Sequence, residues 1–587
     1  MFKAFKYLKP VVGYIVLAIL TVVGQALLDL QIPAQFVDLS LALSQASMEA
    51  VWMVVLKMFA FVVGAVLLAV IAAYFTSLIG ARYGEILRGE MYRKVQSMSV
   101  KEIESFGIAS LITRTTNDIN QLQMIVSMGL RIVVLAPVML IGGLLKAFAI
   151  QKEFSIVFAV AIPLIALTIL FIGISSSRLF VSVQKKIDNL TAIAREGLTG
   201  VRVIRAFNQQ EYEKEKYTQA NTEVRDVSIQ VNRVMARLFP LSSLFMNLTI
   251  IGILIVATVI FNGQVDPSQE VLIKNVGATS TIVGYSSQIL GSIIGMSFIF
   301  MMIPRAQASA NRILEVVNAP LSVTDPEHPL SLDNVTEKGK LEFKNVTFSF
   351  ANAEQPVLNN ISFTMLPGQT TAVIGSTGSG KSSLVNLIPR FYDPQQGEIL
   401  LDGVNIRDIT QKDLRSRMGF VPQNAVLFSG TVRENLLYGN PNATDEDLKL
   451  ATDIAQATEF VENTPDGMNH FIAQGGKNLS GGQKQRLAIA RALVRRPEIY
   501  VFDDSFSALD FKTDANLRKA LKKQIQADGS SVLIVAQRVS TVLNADQIVV
   551  LDNGNMVGIG KHGELMKTCE PYREIVLSQI NEEEANG

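Results

Sequence analysis

The 587-residue chain has one cysteine (Cys569), three histidines and one tryptophan. A lone cysteine excludes an intrachain disulfide and a cysteine-built metal site. Charge is scarce as well: Asp, Glu, Lys and Arg make up 18 % against 49 % hydrophobic residues, and the net charge is +1. That balance lacks the basic surplus of a nucleic-acid binder, so no nucleic-acid partner is expected. The scarcity is uneven. Residues 1 to about 315 hold long runs with no charge at all, and the remainder reads as a soluble α/β domain. A chain of this length with two such halves holds more than one domain.

In the first half Val11–Leu28, Met58–Ala81, Phe154–Ser177, Leu238–Val265 and Asn275–Pro304 each lack a charged residue. Each is long enough to cross a hydrocarbon core of about 30 Å as a helix. Ile132–Leu145 is shorter and ends at Lys146, which can reach the interface; its apolar flanks make it a sixth span. The spans are expected at about 11–31, 55–81, 126–149, 154–177, 238–263 and 275–304, within a transmembrane domain over 1–316. Lys3, Lys6 and Lys9 before the first run resemble a secretory leader, but no small-residue cleavage site comes after it, so it reads as a retained helix. The segment 32–50 has neither Lys nor Arg, whereas 82–125 and 178–237 are rich in both. The positive-inside rule places these two long loops and the N-terminus in the cytoplasm, and six spans return the chain there. Both loops are polar with helical spacing, so the membrane helices are expected to extend into the cytoplasm. Neither the spans nor Lys146 shows a dense charged cluster.

Residues 317–340 hold three prolines among polar residues and read as a linker. A single α/β domain is expected over 341–577, with a tail at 578–587. Within it, TTAVIG reads as a buried strand, GSTGSGKSS as a loop and SSLVNLIPRF as a helix. The loop has the spacing of a phosphate cradle. Gly375, Gly378 and Gly380 permit the tight turn, and the backbone N–H groups from Gly375 through Ser376, Thr377, Ser379 and Ser383 are the candidate phosphate donors. Lys381 is placed for the β- and γ-phosphates and the Ser382 hydroxyl for Mg²⁺. Asp503 ends the apolar strand of EIYVFDD, where a carboxylate can hold Mg²⁺ through water. Gln423 comes after MGFVP and offers an amide near the metal, and Phe350 offers a ring for a purine. Leu479, Ser480, Gly481, Gly482 and Gln483 precede a helical run and form a second anion site.

The combination of GSTGSGKS, Gln423, LSGGQ, VFDD and SALD resembles the nucleotide-binding domain of ABC transporters. With six spans ahead of it, nearly the whole chain resembles an ABC half-exporter of the multidrug and lipid type. The implied fold is an α-helical six-span domain with long cytoplasmic extensions, then an α/β P-loop NTPase domain. The resemblance implies ATP and Mg²⁺ as cofactors and a head-to-tail dimer, with each ATP between one chain's P-loop and the other's LSGGQ. It also implies a D-loop role for Asp510 and a multi-pass place in the bacterial cytoplasmic membrane. ESFGIASLITRTTNDI and EGLTGVRVIRAFNQQE resemble the family's two coupling loops, which rest on nucleotide domains.

Two positions depart from the family pattern. Where the family has Glu as general base the chain has Asp504, shorter by about 1.5 Å, a misplacement that can cost ~100-fold in rate. Where the family has the switch His it has Gln537, and none of His328, His470 and His562 can take the role. Such pairs of changes resemble the degenerate-site chain of heterodimeric bacterial multidrug exporters. The expected partner is a second half-exporter with Glu and His, whose working site this chain's LSGGQ completes. Met296, Met301, Met302, Phe298 and Phe300 in the last span suit hydrophobic small molecules, and the expected cargo is lipophilic or amphipathic. A lipid or lipopeptide flippase, an active homodimeric exporter and an ATP-responsive regulator are the alternatives.

Overall fold

The computed structural model describes residues 2–45, 47–262, 269–333, 338–350 and 353–579; the tail from 580 and part of the linker lie outside the described residues, as do the side chains of Phe300 and Met301. The chain divides into two compact units. The first comprises Met1–Gln96 and Ile108–Ala319, the second Ser97–Gly107 and Pro320–Gly587.

The first unit is helical. Its elements are α1 (Val12–Asp29), α2 (Gln31–Ser44) and α3 (Met48–Ser97); α4 (Val100–Phe106) belongs to the second unit. Then come α5 (Ile108–Thr113), α6 (Ile119–Ile150), α7 (Ser155–Thr199), α8 (Val201–Ala206), α9 (Gln210–Met235), α10 (Leu238–Asn262) and α11 (Gln269–Val317). Among the described residues six helical segments are long and apolar enough to cross a membrane. Leu67, Val70, Phe171 and Val259 are exposed along them, the faces that lipid would cover. Helices α3, α7 and α11 run well past the apolar windows, because their polar ends keep helical spacing.

The first apolar segment ends later than its uncharged run suggests. It stays helical to Ser44, with a break at Leu30. Pro33 has no N–H to give the Asp29 carbonyl four residues back. The Gln288 amide of α11 donates to that carbonyl at 2.9 Å, Tyr285 Oη to the Leu30 carbonyl at 3.0 Å, and Thr281 Oγ1 to the Pro33 carbonyl at 2.9 Å. Gln288 of α11 thus satisfies the carbonyl that Pro33 leaves free, as an apolar surrounding requires, and Tyr285 and Thr281 on the same face add bonds to the first turn of α2.

The second unit is built on a ten-stranded sheet. Its strands are β1 (Leu341–Phe348), β2 (Leu358–Met365), β3 (Thr370–Gly375), β4 (Gln396–Leu401), β5 (Val404–Asn405), β6 (Met418–Val421), β7 (Ile499–Asp503), β8 (Ser531–Val535), β9 (Gln547–Asp552) and β10 (Asn555–Gly560). The order is β5-β4-β1-β2-β10-β9-β3-β8-β7-β6. From β9 through β3, β8 and β7 to β6 neighbours are parallel, while β1 pairs antiparallel with β2 and β4. The parallel strands are buried on both faces, which is why their sequences are continuous apolar runs rather than alternating ones. Helix α12 (Lys381–Leu387) comes after β3, α13 (Gly481–Val494) precedes β7 and α14 (Phe511–Asp528) comes after it.

Candidate functional site

Sheet order positions the site. Strands β3, β8, β7 and β6 lie side by side and parallel, so the loops leaving their C-terminal ends converge on one edge of the sheet. Those ends carry the glycine loop after β3, Gln537 after β8, Asp503 and Asp504 at the end of β7, and Gln423 after β6.

The loop's glycines are required by space and by dihedral angle. A Cβ on Gly375 would lie 2.1 Å from the Leu551 carbonyl oxygen, and Gly380 caps α12 at φ 95°. Ser376, Thr377 and Gly378 are exposed, while Ser379 is buried. Lys381 Nζ donates to the carbonyls of Gly375 at 2.8 Å and Ser376 at 2.7 Å, curling over the loop. Burial lowers its pKa, opposed by the charges of Asp504 and Asp503.

Ser382 Oγ lies 3.4 Å from Asp503 Oδ1. Burial raises the Asp503 pKa and neighbouring Asp504 raises it further, against the Ser382 hydrogen bond and Lys381. Two adjacent buried carboxylates beside a hydroxyl and an amide suit Mg²⁺, which takes few protein ligands and keeps its waters.

Asp504 adopts φ 46°, a left-handed conformation that Asp tolerates better than most residues. Its Oδ2 accepts from Gln537 Nε2 at 3.0 Å and from Gln423 Nε2 at 3.3 Å. Burial raises its pKa too, opposed by hydrogen bonds from Ser507 and Gln423 and by the charges of Lys381 and Arg538. Gln423 therefore reaches Asp504, while Ser382 is the group beside Asp503.

Ser480 caps α13. Its hydroxyl accepts from the Gln483 N–H at 3.3 Å and its own N–H donates to Gln483 Oε1 at 2.8 Å. This reciprocal cap fixes the helix start and leaves Ser480 and Gly481 exposed. Leu479 anchors the stretch against the core, and a Cβ on Gly482 would press the Ala508 carbonyl at 3.2 Å. Asp510 does not join Asp504: it accepts from the Thr513 N–H at 3.0 Å and caps α14. Phe350 is half exposed, its ring edge-on to Phe348 and to Tyr392.

Sequence reading missed several neighbours. Gln579 donates to the Gln537 carbonyl at 2.8 Å and accepts from the Val539 N–H at 2.9 Å, bracing the switch position. Arg538 donates to the Ser507 carbonyl at 2.9 Å. Tyr392 Oη donates to Glu104 Oε2 of α4 at 3.0 Å, while Glu102 accepts from the Ser322 N–H at 3.2 Å and Val100 packs on the sheet's apolar layer. Nothing local in the sequence links Tyr392 to Glu104, 288 positions away.

Two family models match the chain: one described as ABC transporter over residues 358–507, and one described as ABC transporter transmembrane region over residues 13–302. An uncharacterized ABC transporter ATP-binding protein of Mycobacterium tuberculosis is 40 % identical over 519 residues, covering 88 % of this chain and 87 % of its own. One from Bacillus subtilis is 33 % identical over 588 residues, 99 % of each. The structure of a bacterial Atm1-family ABC exporter with ATP bound superposes with a TM-score of 0.81 at 22 % identity, covering 97 % of this chain and 98 % of that one, a likeness of fold.

Proposed function

Because the chain belongs to the ABC transporters, as a half-exporter with one transmembrane and one ATP-binding domain, we propose that it works as the degenerate-site half of a heterodimer. ATP-driven export from the cytoplasmic face across a multi-pass membrane domain is the shared activity. The finer reading rests on one observation: the Asp504 carboxylate is tied to two neutral amides, Gln537 and Gln423.

The exposed N–H groups of the glycine loop and Lys381 would hold phosphate, and Ser382 with Asp503 would hold Mg²⁺. Bound Mg²⁺ supplies charge neutralisation between the phosphates. Asp504 stands at the place of the base that orients the attacking water. Two amide donors pin its carboxylate, and its short side chain keeps it back from the phosphate, so it is poorly placed to orient and deprotonate the water. Gln537 has no group that ionises near neutral pH, so it cannot act as a proton carrier as His does. The site therefore retains ATP and cleaves it slowly.

The Ser480–Gly481 end of α13 is exposed and presents free helix N–H groups, as a site completed across a dimer needs. Tyr392 and Glu104 tie the first coupling helix, α4, to the chain's own nucleotide domain. Val203 and Phe207 at the second, α8, are exposed, which suits docking on the partner's nucleotide domain. The cargo is lipophilic or amphipathic, on the strength of the apolar spans and the half-exposed Phe298 near Met296 and Met302.

Vanadate trapping with radiolabelled ATP on the assembled pair tests the reading. It predicts trapped ADP on the partner chain and intact ATP on this one. Equal trapping on both chains would remove the heterodimeric assignment.

A further inference from the structure

The break between α1 and α2 gathers polar side chains that are far apart in sequence. Gln25 is 9 % exposed, and its Nε2 donates to Asp29 Oδ2 at 3.3 Å. Its Oε1 accepts from Arg131 Nη2 of α6 at 3.5 Å. That long contact is the one hydrogen bond of Arg131 among the described residues, and none of their carboxylates lies within ion-pair distance of it. Asp29 lies within electrostatic range of Arg131 without touching it. Gln288 spends its amide N–H on the Asp29 carbonyl, and its Oε1 is buried without a partner. Gln35, 6 % exposed two residues beyond Pro33, likewise has a buried unpartnered Oε1.

Ionised groups within a membrane segment are costly unless paired or used. Here a guanidinium keeps most of its five donors idle and a carboxylate keeps one oxygen idle. A purely structural knot would close the two on each other. We propose that this kink is a recognition site for the head of an amphipathic cargo that carries an ammonium and an anionic group together. The ammonium would donate to Asp29 and the idle amide oxygen of Gln288, and a carboxylate or phosphate would accept from Arg131. The proposal rests on the amphipathic-cargo reading and sharpens it to a zwitterionic head.

The test uses the full chain, with any partner it assembles with, in nanodiscs of neutral lipid. Four fluorescent probes share one dodecyl tail and differ in head: aminocarboxylate, trimethylammonium, carboxylate and hydroxyl. We expect the aminocarboxylate to bind roughly 10-fold or more tighter than the hydroxyl probe, the size of one charge-assisted hydrogen bond. Arg131→Gln should erase the advantage of the anionic group and Asp29→Asn that of the ammonium, with hydroxyl binding unchanged. Arg131→Lys, which keeps the charge if Arg131→Gln misfolds, should retain most of the preference. Competition by phosphatidylethanolamine would assign the head to a bilayer lipid, and its failure to compete would assign it to a soluble amphiphile; either supports the site. Equal affinity for all four heads, or variants that weaken all four alike, overturns the inference while leaving amphipathic cargo intact. Binding of none of the probes overturns both.

Discussion

The Gln537 side-chain amide donates to the Asp504 carboxylate across 3.0 Å. A histidine there could exchange a proton with water and phosphate; an amide can only hold its partner still. The two substitutions are thus one arrangement. Asp504→Glu alone should raise ATPase less than about 5-fold, because Gln537 still holds the carboxylate. Asp504→Glu with Gln537→His should raise it by about 100-fold, the scale of restoring a positioned acid–base group. Phosphate release by the purified variants decides it, and full recovery by the single change would break the coupling argued here.

Ser480 caps the start of α13, its hydroxyl accepting from the Gln483 N–H. Ser480→Arg puts a cation at the positive end of a helix and fills the exposed anion site. The assembled pair should lose ATPase by about 100-fold, whereas photolabelling of this chain's own P-loop by azido-ATP should persist. Loss of that labelling would place Ser480 on the wrong nucleotide.

Gly375→Ala brings a Cβ to 2.1 Å from the Leu551 oxygen and 2.6 Å from Ser379 Oγ. Backbone cannot yield by that much, so the loop must move off β3. Trinitrophenyl-ATP should bind about 10-fold or more weakly, and the melting temperature should fall by several degrees. Unchanged binding would show that the loop geometry is not what holds phosphate.

Tyr392→Phe removes the hydrogen bond to Glu104 and keeps the ring beside Phe350. Nucleotide affinity should stay within about 2-fold. Cargo-stimulated ATPase of the pair should fall by roughly 2- to 10-fold, the worth of one hydrogen bond. A drop in nucleotide affinity instead would place Tyr392 in the nucleotide site and not in its link to α4.

Contiguous features were legible in the sequence. The glycine loop and LSGGQ each fold on themselves, through Gly380 and through the Ser480–Gln483 cap, so local spacing suffices. The meeting of Gln423, Asp504 and Gln537 depends on the order of β6, β7 and β8, which no local pattern states. Asp510 illustrates a local rule winning: next to a helix start, its carboxylate caps α14. The polar kink was invisible for another reason. Asp29 and Arg131 each flank an uncharged run in different spans, and Gln25, which bonds Asp29 four residues on, reaches Arg131 across 106 positions.

Steady-state ATPase of this chain, reconstituted alone and then with a half-exporter bearing Glu and His, tests the central claim most directly. The account predicts a rate for the chain alone about 100-fold below that of the pair, at full ATP occupancy. Brisk turnover and transport by the chain without a companion would contradict it.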